Sequence, residues 1–355
     1  MPVVTAIGLS SGVGPDAPRA CAALRAGISR FEESERYKCR PFDTLEGELE
    51  PVKLAPARGV PPNAAGLARL VQLALPAIAQ VVRDLKLTRE RFARVGLHLA
   101  LPAASRPDSV GWEDAFAPEL CRRAGLPKPA EITCSRSGNT GFADAVRAAN
   151  AFLRGAPDAI AIVLCVDSLL DVVTLEALDR ADRLKCSRQP EGLIAGEAAV
   201  AVALERRAAA EDRRAPILAS IDALAFAIEK TRLGSGPPNV GAGLTEAVRR
   251  AVQALGSPPS PPWVLSDHNG ERHRATEWGY VLTHCREYFR DLRDTWFVAD
   301  SLGDTGAAVG GVLAARAVHA FARGHAPGPR ALMVLSADDG ARSAVAIGGP
   351  ESGGD

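Results

Sequence analysis

At 355 residues, with 47% apolar and 24% charged side chains, the chain has an ordinary globular composition, which argues against disordered and fibrous classes. Its 42 basic and 42 acidic residues cancel, so it lacks the positive field behind most non-specific nucleic-acid affinity, and no nucleic-acid partner is expected. The longest apolar runs, AIAIVLCV and AAVAVAL, are too short to span a bilayer, and no basic region precedes the apolar start MPVVTAIGLSSG, so a cytoplasmic chain without a membrane span is expected.

Short β-branched runs alternate with longer alanine-rich stretches, the pattern of an α/β protein with a largely parallel sheet. In chain order, strands are predicted near 3–9, 93–100, 130–135, 159–166 and 196–204, with helices near 15–27, 63–84, 113–124 and 140–154. A second set repeats the scheme, with strands near 217–226, 262–266, 296–299, 331–336 and 342–348 and helices near 242–255, 274–290 and 306–322. The division expected is therefore an N-terminal half, 1–210, and a C-terminal half, 211–355. Segments 33–62 and 104–112, GSGPPN and GSPPSPP, rich in Pro, Gly or charge, read as loops, and ERRAAAEDRR as a solvated helical connector. The seven cysteines, at 21, 39, 121, 134, 165, 186 and 285, show no CxxC spacing and are odd in number, so reduced thiols are expected rather than a zinc knuckle or a disulfide framework.

Five pieces, in order, resemble the β-ketoacyl-ACP synthase branch of the thiolase superfamily. They are VVTAIGLSSGVGPDAPRACAALRAGISRF, GAPDAIAIVLCVDSLL, CSRQPEGLIAGEAAVAVALE, VLSDHNG and SLGDTGAAVGGVLAARAVHAF, and together they cover nearly the whole chain. The resemblance implies two similar halves stacked as a five-layer αβαβα sandwich. It also implies a dimer, with itself or with a ketosynthase-like subunit, and an acyl thioester or acyl carrier protein as partner. No cofactor or metal is implied.

A ketosynthase condenses acyl groups by means of a cysteine at a helix N-terminus, where the thiol pKa falls, and two histidines that stabilise an enolate. By count from Gly155, which closes the helix, the nucleophile position falls on Gly138. Ile132 and Cys134 then take inward-facing strand positions, and Cys134 reads as a small buried residue. Making Cys134 the nucleophile instead requires four extra residues, SRSG, between strand and helix. Cys165, inside a central strand, is a weaker candidate, and Ser137 and Thr140 read as helix caps. The first histidine corresponds to His268, with His273 as the fallback and Glu277 on the helix that follows. The second is replaced by Asp304, which repels an enolate, and the family's lysine position falls on Ala299. The glycine-rich gate reads SADDGAR, placing Asp338 and Asp339 near the pocket. Asp300, Asp304, Asp338 and Asp339 sit on turns after strands and could form a cation site, but acidic loop residues are usually solvated and no metal is expected there. The reading that follows is a non-condensing pseudoenzyme that binds an acyl group, a carrier or a partner. The alternatives are an active acyltransferase using Cys134 and His268, and a scaffold or assembly protein.

Overall fold

The computed structural model describes residues 1–40, 48–107, 109–256, 263–289 and 295–350. The N-terminal run comprises β1 (Val3–Ser11), α1 (Ala17–Arg25), β2 (Glu32–Cys39), β3 (Glu50–Ala55), α2 (Gly66–Asp84), α3 (Arg89–Phe92), β4 (Gly96–Ala100), α4 (Trp112–Ala124), β5 (Glu131–Ser135), α5 (Gly141–Gly155), β6 (Ala161–Ser168), α6 (Val172–Arg180), β7 (Ala195–Glu205) and α7 (Arg207–Asp212). The rest comprises β8 (Ala219–Ile228), α8 (Ala242–Ala254), β9 (Trp263–Ser266), α9 (Arg272–His284), β10 (Thr295–Trp296), α10 (Ala299–Leu302), α11 (Val309–Ala322), β11 (Arg330–Ser336) and β12 (Ala341–Gly348).

The sheet runs β5-β4-β6-β7-β1 and then β8-β12-β11-β9-β10. Read outward from the β1–β8 junction, each five-stranded run has two antiparallel pairings followed by two parallel ones, so the second run repeats the first. The junction itself is short, with Val3 opposite Ser220 and Val4 opposite Ala219.

Strand alternation builds the layers. In β7, Ala198, Val200, Val202 and Leu204 enter a cluster with α5, α11 and the second run, whereas Ala199, Ala201 and Ala203 face α2. In β6, Ala161, Val163 and Cys165 face the same central layer, and Ile162, Leu164 and Val166 the outer one. On the far side, Leu332 and Val334 of β11 and Val264 of β9 pack against α8 and α9. The result is the five-layer αβαβα sandwich: α2 and α4, first run, α5 and α11, second run, α8 and α9.

Every strand of the two runs falls on a predicted one, with ends moved by a few residues. The segment 33–62 departs from its reading as loop, because β2 and β3 form a hairpin whose Leu54 and Ala55 pair with Ala195 and Gly196 of β7. The predicted helix 274–290 is α9, Arg272–His284, and strand 296–299 shrinks to the two residues of β10. The GSPPSPP loop lies outside the described residues from 257 on.

Candidate functional site

The C-terminal ends of β5, β6 and β11 and the turn after α10 meet around a cleft of about 430 Å³, the side of an α/β sheet where ligands bind. Its floor is an elbow. After β5 the chain passes Arg136 and Ser137, turns at Gly138 with φ +56°, makes one 3-10 turn over Gly138–Thr140 and enters α5. A second elbow repeats this before α11, with Gly306 at φ +50° opening the 3-10 turn Gly306–Ala308. Both glycines line the cleft.

Alternation decides what faces it. Trp263 and Leu265 of β9 point to the central layer and Val264 to the outer one, so Asp267 follows the central face and His268 the outer face. Asp267 is buried, and its Oδ2 accepts from Asn139 Nδ2 at 3.0 Å, Arg274 Nη1 at 3.0 Å and the Ser336 amide at 2.8 Å. Burial raises its carboxyl pKa, opposed by Arg274. Asp167, the corresponding central-face residue of β6, accepts from the Ala307 amide at 2.8 Å, Arg106 Nη2 at 3.2 Å and the Ser168 amide at 2.7 Å. Burial raises it as well, opposed by Arg106.

Asp304 completes the acidic floor. It is buried, accepts from Asn269 Nδ2 at 2.7 Å and takes the Gly306 amide at 2.8 Å. At the rim, Arg183 grips both oxygens of Glu271 at 2.7 Å and reaches Asp338 at 2.7 Å, and Arg274 meets Asp338 at 3.2 Å. Burial works against ionisation of Glu271, yet the Arg183 contacts outweigh it and hold the carboxyl below its ordinary range. Asp338 is held at about 2: burial pushes it up, and Arg274 and Arg183 more than offset that. The opposite wall is apolar, with Leu169, Leu178 and Leu193. A charged floor with one greasy wall suits an amphipathic ligand.

The candidate residues from the sequence are only partly brought together. Gly138, Asp304, Asp338 and Asp339 line the cleft, whereas Cys134, His268, Cys165, Ala299 and Asp300 are not among its lining residues. Cys134 lies within β5, opposite Leu99, and packs with Ile132 against the outer apolar cluster. Burial pushes its thiol up to about 11, with Arg136 pulling the other way. His268 shares its Nδ1 with Ser266 Oγ and stands among rings, 5.3 Å from Phe297 and 6.5 Å from Trp278, and burial lowers it to about 4. His273 lies on α9 at the outer mouth, and Glu277 is buried against Arg342, Asn239 and Ser336. Ser137 and Thr140 occupy cap positions without making a capping bond. The intervening 3-10 turn changes the geometry, and the Thr140 hydroxyl donates to the Ser137 carbonyl at 3.1 Å instead.

The residues missed from the sequence are Asp167, Asp267, Asn139, Arg106, Arg183 and Arg274. Counting alternate residues along β6 and β9 would have found the two aspartates. The arginines come from loops and a helix distant in sequence and leave no local signal.

No protein-family model matches the chain, and no curated protein matches it. Solved structures do. A chain of a type II polyketide synthase complex, AntDE:AntF, in which an acyl-carrier protein is bound to its ketosynthase, superposes with a TM-score of 0.80 at 14% identity, covering 99% of both chains. The fold is the ketosynthase fold. The module 6 ketosynthase of the bacillaene synthase from Bacillus subtilis 168 gives 0.79 at 14% identity, over 99% of this chain and 72% of that one. A ketosynthase–chain length factor pair, ApeO with ApeC from Xenorhabdus doucetiae, gives 0.74 at 14% identity over 98% of each chain. Among the described residues, no helix is long and apolar enough to cross a membrane.

Proposed function

We propose that this chain is a ketosynthase-like protein that does not condense acyl groups and acts by binding an acyl thioester or acyl carrier protein, in partnership with a second copy or a ketosynthase-like subunit. The observation that carries this reading is Gly138: the elbow that opens α5 into the cleft bears no side chain. Nothing at that point can attack a thioester.

The surroundings agree. Cys134, four residues upstream, faces the other side of the sheet, and Cys165 is wholly buried with its thiol raised above the ordinary range by desolvation. Thiolate, not thiol, is the nucleophile, so both positions are poorly reactive. Where condensation needs donors for a developing enolate, the floor presents the carboxyl groups of Asp167 and Asp304 in place of a histidine pair. An open cleft with an apolar wall favours ligand binding over a scaffold role. The solved structures that share this fold include a ketosynthase with its acyl-carrier protein and ketosynthase–chain length factor pairs, which supports the same class of partners here. The edge strand β5 is half-exposed along most of its length, as a strand that pairs with a second subunit would be.

Intact-mass spectrometry after incubation with an acyl thioester, or with a cysteine-directed ketosynthase inhibitor, tests the reading. The expected result is no stoichiometric adduct on the native chain. A single adduct per chain mapping to Cys134, lost in Cys134→Ala with the fold intact, would establish the acyltransferase alternative instead.

A further inference from the structure

Away from the cleft, three chain segments bring soft and hard donor atoms together. Cys39 ends β2 and stands directly opposite Glu50, the first residue of β3, while Cys186 lies in the turn that follows α6. One ligand atom from each, two sulfurs and a carboxylate oxygen, all lie within 4.8 Å of one another. Among the described residues this is the convergence of His, Cys, Asp and Glu donors that meets such a limit; the Asp300, Asp304, Asp338 and Asp339 set does not.

The geometry suits one small ion. Tetrahedral zinc holds sulfur at about 2.3 Å and carboxylate oxygen at about 2.1 Å, which sets two ligand atoms of one ion about 3.6 Å apart. Cys39 Sγ stands 3.7 Å from Glu50 Oε1. The carboxylate is already oriented, because the Ser187 amide donates to Oε1 at 2.6 Å and the Ser187 hydroxyl to Oε2 at 2.5 Å, the kind of outer hydrogen bonding that fixes a metal ligand. The Cys186 turn is closed by bonds in both directions between Cys186 and Gln189. Cys39 is buried, and the other two are half-buried, so the site has a floor and an opening.

We propose that Cys39, Cys186 and Glu50 bind one thiophilic divalent cation of the zinc class, with solvent in the fourth position. The charge balance is favourable. Two neutral thiols and one carboxylate carry the same net charge as two thiolates, one carboxylate and a divalent cation, and the two thiol protons leave to solvent. The ion would tie the β2–β3 hairpin to the segment running from Arg183 to Leu193, which is pinned by the Leu184–Leu193 bridge and whose two end residues line the cleft. This site is independent of whatever occupies the cleft.

Cobalt(II) titration of the reduced, chelator-treated full-length chain tests it, because thiolate ligands give cobalt a charge-transfer absorption in the near ultraviolet. The expected result is uptake of one equivalent, with that absorption bleached by one equivalent of zinc. Cys186→Ser and Glu50→Gln, both at half-buried positions, are expected to weaken cobalt binding by at least about tenfold with unchanged far-ultraviolet circular dichroism. Three results would overturn the proposal. These are no charge-transfer band on the reduced chain, a band unaffected by Cys186→Ser, or a Cys39–Cys186 disulfide by mass spectrometry in a chain that takes up no cobalt when reduced.

Discussion

His98 stands on β4 with no exposed surface, its Nδ1 2.8 Å from Thr133 Oγ1 and its ring 5.6 Å from that of Phe152. Desolvation lowers its pKa from 6.5 to about 4. The unfolded chain therefore takes up a proton near pH 6.5, while the folded chain resists until about pH 4. Between those values the unfolded state binds more protons, so stability is complete above pH 6.5 and is lost as pH falls through the folded pKa. For His98 alone the loss is on the order of 3 kcal/mol. Urea midpoints measured at pH 7 and pH 4.5 are expected to differ less in His98→Asn than in the native chain, even though the variant starts out weaker. Equal pH slopes would show that His98 does not carry this term. His98 also shows what alternation leaves legible at this scale. The same period of two puts Asp267 on the central face and His268 on the outer one, whereas Cys134, read as inward-facing and buried, lies half-buried against the outer cluster. Cys39 and Cys186 could not be paired that way, because only the hairpin and the turn after α6 bring them together.

The two elbows separate backbone strain from steric filling. Both Gly138 and Gly306 have the positive φ that costs a side-chain-bearing residue about 1 kcal/mol. A Cβ on Gly138 would meet only the Ala103 methyl, at 3.4 Å, whereas on Gly306 it would lie 2.1 Å from Asp167 Oδ2. That oxygen is held by the Ala307 amide and Arg106 and cannot retreat without breaking a buried contact. Gly138→Ala is expected to cost about 1 kcal/mol and Gly306→Ala about 3 kcal/mol, adding an overpacking cost to the strain. Chemical denaturation of the two variants side by side checks this, and equal losses would mean that Asp167 yields easily. The elements around these elbows were readable because β6, β7, β11 and α11 are apolar runs bounded by turns. The β2–β3 hairpin was not, because Glu32–Cys39 places only two of its eight residues in the interior and has no apolar alternation to detect. Its order comes from pairing with β7, a contact that sequence propensity does not encode.

At the scale of the whole chain, the repeated strand order raises the question of whether the two runs melt separately. The β1–β8 junction is too short to hold them as one, with two residue pairs. The central layer is what couples them. A single cluster unites Phe142 and Val146 of α5, Val312 and Leu313 of α11, Val200 and Val202 of β7, and Met333 and Val345 of β11 and β12. Helix α11 reaches β7 through Gly311, where a Cβ would stand 2.8 Å from that of Val200. Neither run can expose its inner face without stripping the other, so a single cooperative transition is expected despite the size of the chain. The tryptophans make this measurable: Trp112 reports from α4 in the first run, and Trp263, Trp278 and Trp296 report from the second. Urea unfolding of the native chain and of Trp112→Phe, followed by fluorescence, is expected to coincide with the loss of far-ultraviolet circular dichroism. Gly311→Ala is expected to lower every midpoint together, by the equivalent of about 1–3 kcal/mol. A fluorescence transition in either chain that separates from the circular dichroism transition would mean that the central layer does not join the halves, and that the β1–β8 junction is a boundary between independently folding units.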